Sequence, residues 1–485
     1  MRAVDPHTPV IVGAGQVSGG GEVGPIALAA RALRAAAEDA GGDAGTRLLS
    51  RVNSVRHVAT VCWPYTDEAA LIAAELGVTP RETVRTSQFG GDGPGRLVSD
   101  TARAIAAGEV DVALLSGAEA VSALRAAQRE QRSPEWPDQP AAAKPTRTIG
   151  TDRFASNEAE TAVGLLAPVY NYALLETAVQ AKRGATRADH ADAIAKLWSR
   201  FSAVAEGNAN AWIRTAFTAD ELLERTPENR AVSEPYLKLL TANIQVDQAT
   251  GLIMCSAQAA RDAGVPTERW AFPLAGAYAV DEWFLTERPE LAASPAIAAA
   301  GTAALTHAGA TIDEVAYVDL YSCFPSAVQI AADALGLDTA ARTPTLTGGL
   351  TFAGGPGNNY ASHAIATAVA KLREDPDALA LSTALGWYAT KHAVLVFSGR
   401  PGRRRFAEFD ANPAQRPTPR PATATYEGPA TIEAYTIPYD RAGEPEAVIL
   451  AALTPDGTRA LTRIADQSRI AELAGGDPLG QRINV

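Results

Sequence analysis

The sequence GGDGPG fills residues 90–95 and leads directly into a helical run at 96–107. A second glycine turn, GGPGNN at 354–359, leads in the same way into a helical run at 360–372. Glycine turns at helix starts offer backbone N–H groups to an anion or a carbonyl oxygen. Because similar elements flank both turns, they indicate that the chain contains two copies of one folding unit.

The segments around the two turns recur in the same order. The first turn follows an apolar strand that starts at residue 9, a helix at 26–40 and a strand at 55–62. The second turn follows a strand from residue 272, a helix at 296–308 and a strand at 315–321. After each turn come a helix and a buried strand, at 110–115 and at 378–381. This pattern predicts βαβ units around sheets covered on both faces, and therefore a duplicated α/β protein with halves at 1–270 and 271–400.

The bulk properties indicate a globular protein of two or three domains. The 485 residues carry a net charge of −12, which disfavours a nucleic-acid-binding surface. No apolar run reaches the ~18 residues that span a bilayer, and the N-terminus has no basic-then-apolar signal segment. The 3 cysteines and 6 scattered histidines form neither a disulfide framework nor a metal motif, so we expect a cytoplasmic protein without a metal.

One segment interrupts the repeat, and two follow it. Residues of about 121–262 begin with a proline-rich stretch and continue into long helices, which predicts a helical loop domain inserted in the first half. Residues 401–420 are rich in proline and arginine and are expected to form a linker. Residues 421–485 contain strand-like runs around a turn at 455–457, which predicts a small C-terminal β-barrel of OB-like type.

The order and spacing of these blocks resemble the thiolase superfamily over residues of about 9–397. In that family a Cys-x-Ser-Gly turn is followed by an apolar helix, a glycine, and a strand ending Gly-x-Glu. The present chain matches this spacing from Gly91 to Glu119. The resemblance implies a duplicated five-layer αβαβα thiolase fold. It also puts Gly91 where the nucleophilic cysteine belongs, and Gly355 where the histidine of a Gly-His-Pro turn belongs.

The two remaining catalytic blocks are altered as well. The family's Asn-Glu-Ala-Phe block reads YSCF at 321–324, and the late acid–base cysteine falls near Thr383 or Ala384. The cysteine-free turn, the motif GWYATKH at 386–392 and the C-terminal domain resemble actinobacterial thiolase-like proteins of type 1, usually described as acetyl-CoA acetyltransferases. Residues 231–249 resemble the sterol-carrier-protein thiolase branch. The resemblance implies a CoA or acyl-CoA ligand, bound by the loop domain and the two glycine turns.

Glycine supplies no thiolate, so covalent acyl transfer is disfavoured, and three side chains are candidates for other chemistry. Tyr321 is the candidate acid–base, by resemblance to thiolase-related aldolases; the alternative is a strand-end hydroxyl with its own partner. Cys323 is the candidate replacement nucleophile, or else a buried small apolar residue. His392, or Lys391 before it, is expected to approach the thioester or the CoA pyrophosphate; the alternative is a surface pair. Asp92 is expected to cap the helix after the first turn, or else to act as a base.

Five residues are candidates for binding CoA. Gly91 and Gly355 are expected to present backbone N–H groups to the thioester oxygen, unless they serve folding only. Gly386 borders the same region. Lys196 and Arg200 lie four residues apart on one helix face and are candidate contacts for the CoA phosphates, although exposed basic residues are usually solvated.

Three functional hypotheses follow. The first is a CoA- or acyl-CoA-binding protein of the acyltransferase family with a degenerate active site, acting in lipid or secondary metabolism. The second is a retro-aldolase on a β-hydroxyacyl-CoA that uses Tyr321; such aldolases usually need a small partner protein, which the C-terminal β domain could replace. The third is a non-catalytic acyl-CoA-binding scaffold. We expect a monomer or homodimer whose partner is an acyl-CoA thioester, with neither nucleic acid nor membrane bound.

Overall fold

The strands and helices of the two halves follow the same order along the chain. The computed structural model describes residues 4–414 and 417–485; residues 1–3 and two residues of the expected linker, Gln415 and Arg416, lie outside the described residues. The strands are β1 (Pro9–Ser18), β2 (Ser54–Val58), β3 (Glu82–Thr86), β4 (Val112–Ala120), β5 (Arg147–Ile149), β6 (Ala231–Glu234), β7 (Tyr236–Leu237), β8 (Asp247–Ser256), β9 (Phe272–Val280), β10 (Tyr317–Asp319), β11 (Leu379–Gly386), β12 (Lys391–Ser398), β13 (Ala407–Asp410), β14 (Ala422–Thr423), β15 (Pro429–Pro438), β16 (Val448–Leu453), β17 (Arg459–Ile464) and β18 (Arg482–Asn484).

The helical runs predicted at 26–40, 96–107, 296–308 and 360–372 all correspond to helices in the structure, and the described residues form fifteen α-helices. They are α1 (Pro25–Asp39), α2 (Asp43–Leu49), α3 (Glu68–Leu76), α4 (Gly93–Ala106), α5 (Val121–Arg129), α6 (Glu158–Ala162), α7 (Pro168–Arg183), α8 (Arg187–Gly207), α9 (Ala219–Leu223), α10 (Ala257–Ala263), α11 (Pro295–Ala308), α12 (Pro325–Leu335), α13 (Gly349–Phe352), α14 (Tyr360–Glu374) and α15 (Gln467–Gly475). Within residues 4–414 and 417–485, no helix is long and apolar enough to cross a membrane.

Local sequence sets the ends of these helices, as α11 illustrates. The Ser294 hydroxyl accepts a hydrogen bond from the Ile297 N–H, and Pro295 occupies the first turn, where its missing N–H costs nothing. The helix ends at Gly309, whose φ of 74° is a left-handed conformation that glycine adopts without strain. α11 therefore starts and stops at residues chosen for those positions.

Two sheets of the same pattern confirm the duplicated α/β fold. The first sheet has the order β1-β8-β4-β2-β3-β5, and the second has the order β10-β11-β12-β9-β13. β8 lies antiparallel between β1 and β4, and β4 pairs in parallel with β2. β12 likewise lies antiparallel between β9 and β11, and β11 pairs in parallel with β10. Both sheets are thus mixed, which simple βαβ units do not explain.

The helices that follow the glycine turns form the middle of five layers. α4 contacts β1 and β4 of the first sheet and β9 and β11 of the second, and α14 contacts strands of both sheets as well. α1 covers the outer face of the first sheet, and α11 that of the second. Because α4 and α14 are enclosed by sheets, most of their side chains are buried. The thiolase fold expected from the sequence is therefore present.

The inserted loop domain is shorter than the sequence analysis predicted. It contains α7 and α8, but β8 and α10, which lie within the expected range of 121–262, belong to the first half. All ten residues of β8 are buried, with β1 and β4 on either side, and a strand buried on both faces lacks the alternation that would show which domain it belongs to. The insertion therefore ends before Asp247.

The C-terminal region is fused to the rest of the molecule by shared sheets. Its sheet has the order β14-β17-β16-β15-β6-β7, with β18 also on β15, so two strands come from the inserted domain. These pairings do not confirm the expected barrel. Part of the expected linker is a strand, since β13 pairs in parallel with β9. The segment docks on the second half because its Ala407–Asp410 backbone extends the edge of that sheet.

A strand of the same chain also covers an edge of the first sheet. β5 pairs in parallel with β3, through Val84, Arg85 and Thr86. Open edges present unpaired backbone groups to other chains, and a covering strand removes them. β3 is therefore unable to pair with a second copy of this chain unless β5 leaves.

Candidate active site

Asn358 joins the two glycine turns. Its side-chain oxygen accepts a hydrogen bond from the Gly90 N–H at 2.9 Å, and its amide nitrogen donates to the carbonyls of Ala59 and Gln88 at 3.0 and 2.9 Å. Asn359 adds a bond from its amide to the Gly117 carbonyl at 2.9 Å. Gly90 and Gly354 are 264 positions apart in the sequence. The hydrogen bonds of Asn358 and Asn359 therefore bring the two turns together into one site.

Tyr321 fills the space beside Gly91. A Cβ atom placed on Gly91 would lie 2.3 Å from the Tyr321 hydroxyl oxygen and 2.6 Å from the Leu385 carbonyl oxygen, distances that no real side chain tolerates. Gly91 is the position at which the thiolase resemblance puts the nucleophile. The tyrosine hydroxyl thus occupies the place from which a nucleophilic side chain would extend.

The Tyr321 hydroxyl has no hydrogen-bond partner among residues 4–414 and 417–485. Burial raises its pKa well above the ordinary value, and the neighbouring Cys323, Tyr360 and Asp92 raise it further. The phenol is consequently neutral at pH 7 and is a hydrogen-bond donor rather than a base. The Gly91 N–H also lacks a partner in the described part of the chain, so two donors are free at this turn.

A buried ion pair lies next to these donors. The Lys391 ammonium is 3.0 Å from Asp92 Oδ1 and donates to the Phe89 carbonyl at 3.0 Å, and both charged side chains are almost fully enclosed. The approach of Lys391 to Oδ1 has the distance of an ion pair without hydrogen-bond direction, so Oδ1 has no hydrogen-bond donor among the described residues. Asp92 does not cap α4 as expected, because its carboxylate is turned towards Lys391 instead.

Gly386 and Gly90 make room for this ion pair. A Cβ on Gly386 would lie 2.1 Å from Asp92 Oδ1, and a Cβ on Gly90 would lie 2.5 Å from the Lys391 nitrogen. Gly386 was expected to bind the cofactor; its observed environment is the ion pair, and any contact with CoA stays a prediction.

Gly355, in the second turn, has different surroundings. Its N–H donates to the Asn243 carbonyl at 2.9 Å, so it is not free for a thioester oxygen as expected. The nearest atom to a Cβ on Gly355 would be that carbonyl oxygen at 3.3 Å, a tight contact that a small shift relieves. Packing beside Gly355 therefore leaves room for a small side chain, unlike the packing beside Gly91.

Cys323 lies near Tyr321 and is buried. Burial raises its thiol pKa to about 12, although a hydrogen bond with Tyr172 works in the opposite direction. Only the thiolate is a competent nucleophile, and almost none forms at neutral pH. The environment thus disfavours the expected role of Cys323 as a replacement nucleophile.

His392 faces away from the turns. Successive side chains of a strand point to opposite faces, so Lys391 and His392 cannot both border the first turn. His392 Nε2 is 3.1 Å from Asp281 Oδ2 and 3.1 Å from the Ala389 carbonyl. Burial tends to raise the Asp281 pKa, but the hydrogen bond and charge of His392 lower it overall. Of the two expected alternatives, it is Lys391 that reaches the site. The sequence did carry a sign of this role, because Lys391 is a charged residue at the start of the largely apolar strand β12.

The two candidate phosphate contacts have partners of their own. Lys196 pairs with Asp192 at 2.7 Å on the surface of α8, and Arg200 donates to the Thr339 carbonyl. The structure therefore does not bring them to the glycine turns, and their contact with CoA stays a prediction.

A strained turn forms the rim of the site. Trp387 and Ala389 have φ angles of 57° and 51°, which cost non-glycine residues about 1–3 kcal/mol each. The Tyr172 hydroxyl holds this turn by donating to the Trp387 carbonyl and accepting from the Ala389 N–H, both at 2.9 Å. The Trp387 ring packs 5.5 Å from that of Phe89, which is 44% exposed. An aromatic pair thus borders the site where solvent reaches it.

Two buried arginines connect the C-terminal domain to this rim: Arg459 of that domain contacts the segment of Arg288, and Arg288 contacts the rim. Arg459 binds both carboxylate oxygens of Glu433 and donates to the carbonyls of Thr286 and Arg288. Arg288 in turn donates to the Tyr388 carbonyl at 2.8 Å and to Thr390 Oγ1 at 3.1 Å. The rim is therefore supported by the inserted domain on one side and by the C-terminal domain on the other.

Comparison with known proteins agrees with this architecture. The described C-terminal region matches the family model "Thiolase-like protein type 1 additional C-terminal domain" over residues 411–485, which begins inside the expected linker. A monomeric SCP2-thiolase-like protein type 1 from Mycobacterium smegmatis is 34% identical, with a TM-score of 0.84, and the match covers 99% of this chain and 97% of that one. Comparison with curated proteins gave no match.

More distant structures share the fold alone. An Ltp2-ChsH2(DUF35) aldolase is 19% identical with a TM-score of 0.61, covering 82% of this chain and 99% of that one. The dimeric peroxisomal thiolase of Saccharomyces cerevisiae is 16% identical with a TM-score of 0.56, covering 81% and 98%. The duplicated sheets and paired glycine turns thus define a protein of the thiolase fold. Within that class, the chain belongs to the SCP2-thiolase-like proteins of type 1.

Proposed function

We propose that the protein binds CoA thioesters between its two glycine turns and forms no acyl-enzyme. The observation that carries this proposal is the Tyr321 hydroxyl, which lies where a nucleophilic side chain on Gly91 would begin. A free donor at that position suits a thioester carbonyl oxygen better than a covalent bond. The bound thioester would be held, and its carbonyl polarised, without acyl transfer.

Two donors would bind the thioester oxygen. The neutral Tyr321 phenol and the Gly91 N–H both lack partners among the described residues, and a pair of donors is the arrangement that stabilises developing charge on a carbonyl oxygen. The nearby Lys391 ammonium is neutralised by Asp92, so it adds little net charge. Binding, rather than proton removal, is what these groups are equipped to do.

The remaining parts of CoA would meet the rim and the inserted domain. The Phe89 and Trp387 rings offer an apolar surface to the pantetheine chain. Lys196 and Arg200 remain the candidate phosphate contacts, since the pair of Lys196 with Asp192 is a surface ion pair of small energy that a phosphate can replace.

Calorimetric titration with acetyl-CoA tests this proposal. We expect saturable binding that Tyr321→Phe weakens by about tenfold, because one hydrogen bond to the thioester is lost. Tyr426→Phe is the matched control, because that exposed hydroxyl donates to the Pro429 carbonyl at the surface. Absence of binding to the native protein, or equal effects of the two variants, would contradict the proposal.

Intact-mass measurement after incubation with acetyl-CoA tests the second half of the proposal. We expect no added acetyl group on the denatured protein. A stable acetyl adduct that disappears in Cys323→Ser would instead identify Cys323 as a nucleophile.

A retro-aldolase is the second candidate function, and the same free hydroxyl favours it. In such a reaction a base removes the β-hydroxyl proton, the Cα–Cβ bond breaks to release a carbonyl product, and the thioester enolate takes up a proton at Cα. The raised pKa of Tyr321 suits the final protonation. Release of acetyl-CoA from a β-hydroxyacyl-CoA, lost in Tyr321→Phe, would support this function. Binding without turnover in both proteins would support the scaffold hypothesis.

A further inference from the structure

A groove of about 770 Å³ lies at the opposite end of the second sheet from the glycine turns. β12 runs from Lys391 at the first turn to Ser398 at the groove, a span of roughly 24 Å for an extended strand. Residues 399–406 form one wall and residues 4–9 the other. The size falls within the range of about 300–1,000 Å³ that small-molecule sites occupy.

Four arginines stand on the first wall of the groove, namely Arg400, Arg403, Arg404 and Arg405. Arg400 pairs with Asp377 at 3.0 Å and Arg405 with Asp5 at 2.5 Å. Arg403 and Arg404 have neither an ion pair nor a hydrogen bond within the described ranges 4–414 and 417–485. In a chain whose net charge is −12, two adjacent uncompensated guanidinium groups form a local positive field.

The arginine segment is fixed at both ends. A Cβ on Gly399 would lie 2.5 Å from Pro376 Cα, so the start of the segment is pressed against its neighbour. At the other end, His307 Nε2 donates to the Arg405 carbonyl at 2.9 Å, and β13 follows immediately. The backbone that carries the two free guanidinium groups is therefore held in place, which lowers the entropy lost when a ligand binds.

The floor of the groove is apolar. Trp270, Phe272, Leu274 and Phe406 line it, while its carboxylates are those of Asp5 and Glu268. Arginine forks match phosphate oxygens in bidentate geometry, and apolar lining side chains accept a ring or a hydrocarbon body. We propose that this groove binds a small molecule that carries phosphate groups on an apolar or aromatic body.

The test is calorimetric titration of the full chain with ADP and with pyrophosphate, without a divalent metal. ADP should bind saturably to the groove, and its affinity should fall as salt is added. Arg403→Ala/Arg404→Ala should weaken ADP binding by about a hundredfold, since each charge-assisted contact accounts for about tenfold. Phe406→Ala should weaken the binding of ADP and leave the binding of pyrophosphate unchanged. A melting curve verifies that each variant is folded.

Arg125→Ala/Arg129→Ala is the matched control, because these two exposed arginines also lack partners among the described residues. We expect this variant to bind ADP like the native protein. Equal losses in the two double variants would show unspecific attraction to positive charge and would overturn the proposal. Absence of saturable ADP binding at millimolar concentration would overturn it as well.

Acetyl-pantetheine separates this groove from the site at the glycine turns, because it carries a thioester and no phosphate. Tyr321→Phe should weaken the binding of acetyl-pantetheine and leave the binding of ADP unchanged. Arg403→Ala/Arg404→Ala should weaken the binding of ADP and leave the binding of acetyl-pantetheine unchanged. If ADP binds as expected but acetyl-pantetheine does not, the groove stands and the proposed CoA-thioester site fails. If Tyr321→Phe abolishes ADP binding, the groove is not the phosphate site.

Discussion

The two glycine turns have similar sequences, but their surroundings differ. At the first turn the space beside Gly91 is filled by Tyr321, and a buried ion pair of Lys391 with Asp92 lies next to it. At the second turn the space beside Gly355 holds no such replacement. The difference teaches that packing leaves no room for a side chain at Gly91, whereas Gly355 has room for a small one.

Removing the lysine of the first turn should have the largest effect. Lys391→Met leaves the Asp92 carboxylate buried without its partner, and breaking such a pair costs about 3–5 kcal/mol. Urea unfolding measures the loss. Lys371→Ala, which breaks the exposed pair of Lys371 with Glu374, should cost less than about 1 kcal/mol. If Lys391→Met/Asp92→Asn is no more stable than Lys391→Met alone, the two residues do not act as a pair.

Acid should destabilise both halves through a buried neutral histidine in each. Burial lowers the pKa of His57, in β2, to about 4, and that of His363, in α14, also to about 4. Below the ordinary pKa of about 6.5 the unfolded chain binds a proton that the folded chain refuses. Stability should therefore fall as the pH drops from about 6.5 to 4, by about 3 kcal/mol for each histidine. Unfolding curves of His57→Asn and His363→Asn across this range should each be flatter than the parent, and an unchanged slope would refute the assignment.

The hydrogen bonds that link the two turns should contribute less to the free energy of unfolding than the ion pair does. Asn358→Ala removes three hydrogen bonds to the first half, one of them to Gly90 of the first turn, and we expect a loss of about 2–3 kcal/mol in thermal or urea unfolding. Asn359→Ala removes fewer contacts and should cost about 1 kcal/mol. Similar losses for the two variants would mean that Asn358 does not hold the turns together.

Substitution of the glycines compares the two turns directly and has the smallest expected effects on stability. Gly91→Ala should cost about 1–3 kcal/mol because its methyl group would overlap Tyr321 and the Leu385 carbonyl. Gly355→Ala should cost less than about 1 kcal/mol, since its nearest contact is 3.3 Å. In a Tyr321→Phe background the Gly91→Ala penalty should shrink, because the nearest overlapping atom is gone. Equal penalties at the two glycines would remove the distinction drawn between the turns.

The architecture could be predicted from the sequence because its signals are local. Apolar runs, glycine turns and helix ends lie within short windows, and their order predicts the duplicated halves. The assignment of β8 failed because a strand buried on both faces has no alternation that would show its neighbours. The strand β13 inside the expected linker was missed because proline and arginine dominate the segment around it.

The site was predictable only in part. Tyr321 was identified from its place in a family block, but its contact with Gly91 joins residues far apart in the chain and has no local signature. The choice between Lys391 and His392 depends on which face of β12 borders the first turn, and sequence alternation does not decide that. Asn358 suits a turn by composition, whereas its role as a bridge depends on the other half of the molecule.

The overlap between Gly91 and Tyr321 also bears on how such a protein can evolve. A mutation that placed a cysteine at residue 91 would bring its Cβ to 2.3 Å from the tyrosine hydroxyl and 2.6 Å from the Leu385 carbonyl oxygen. The change would be deleterious in this background, and a prior change at position 321 would remove only the first of these two overlaps. The effect of a mutation at residue 91 therefore depends on which residue stands at position 321, which is a form of epistasis.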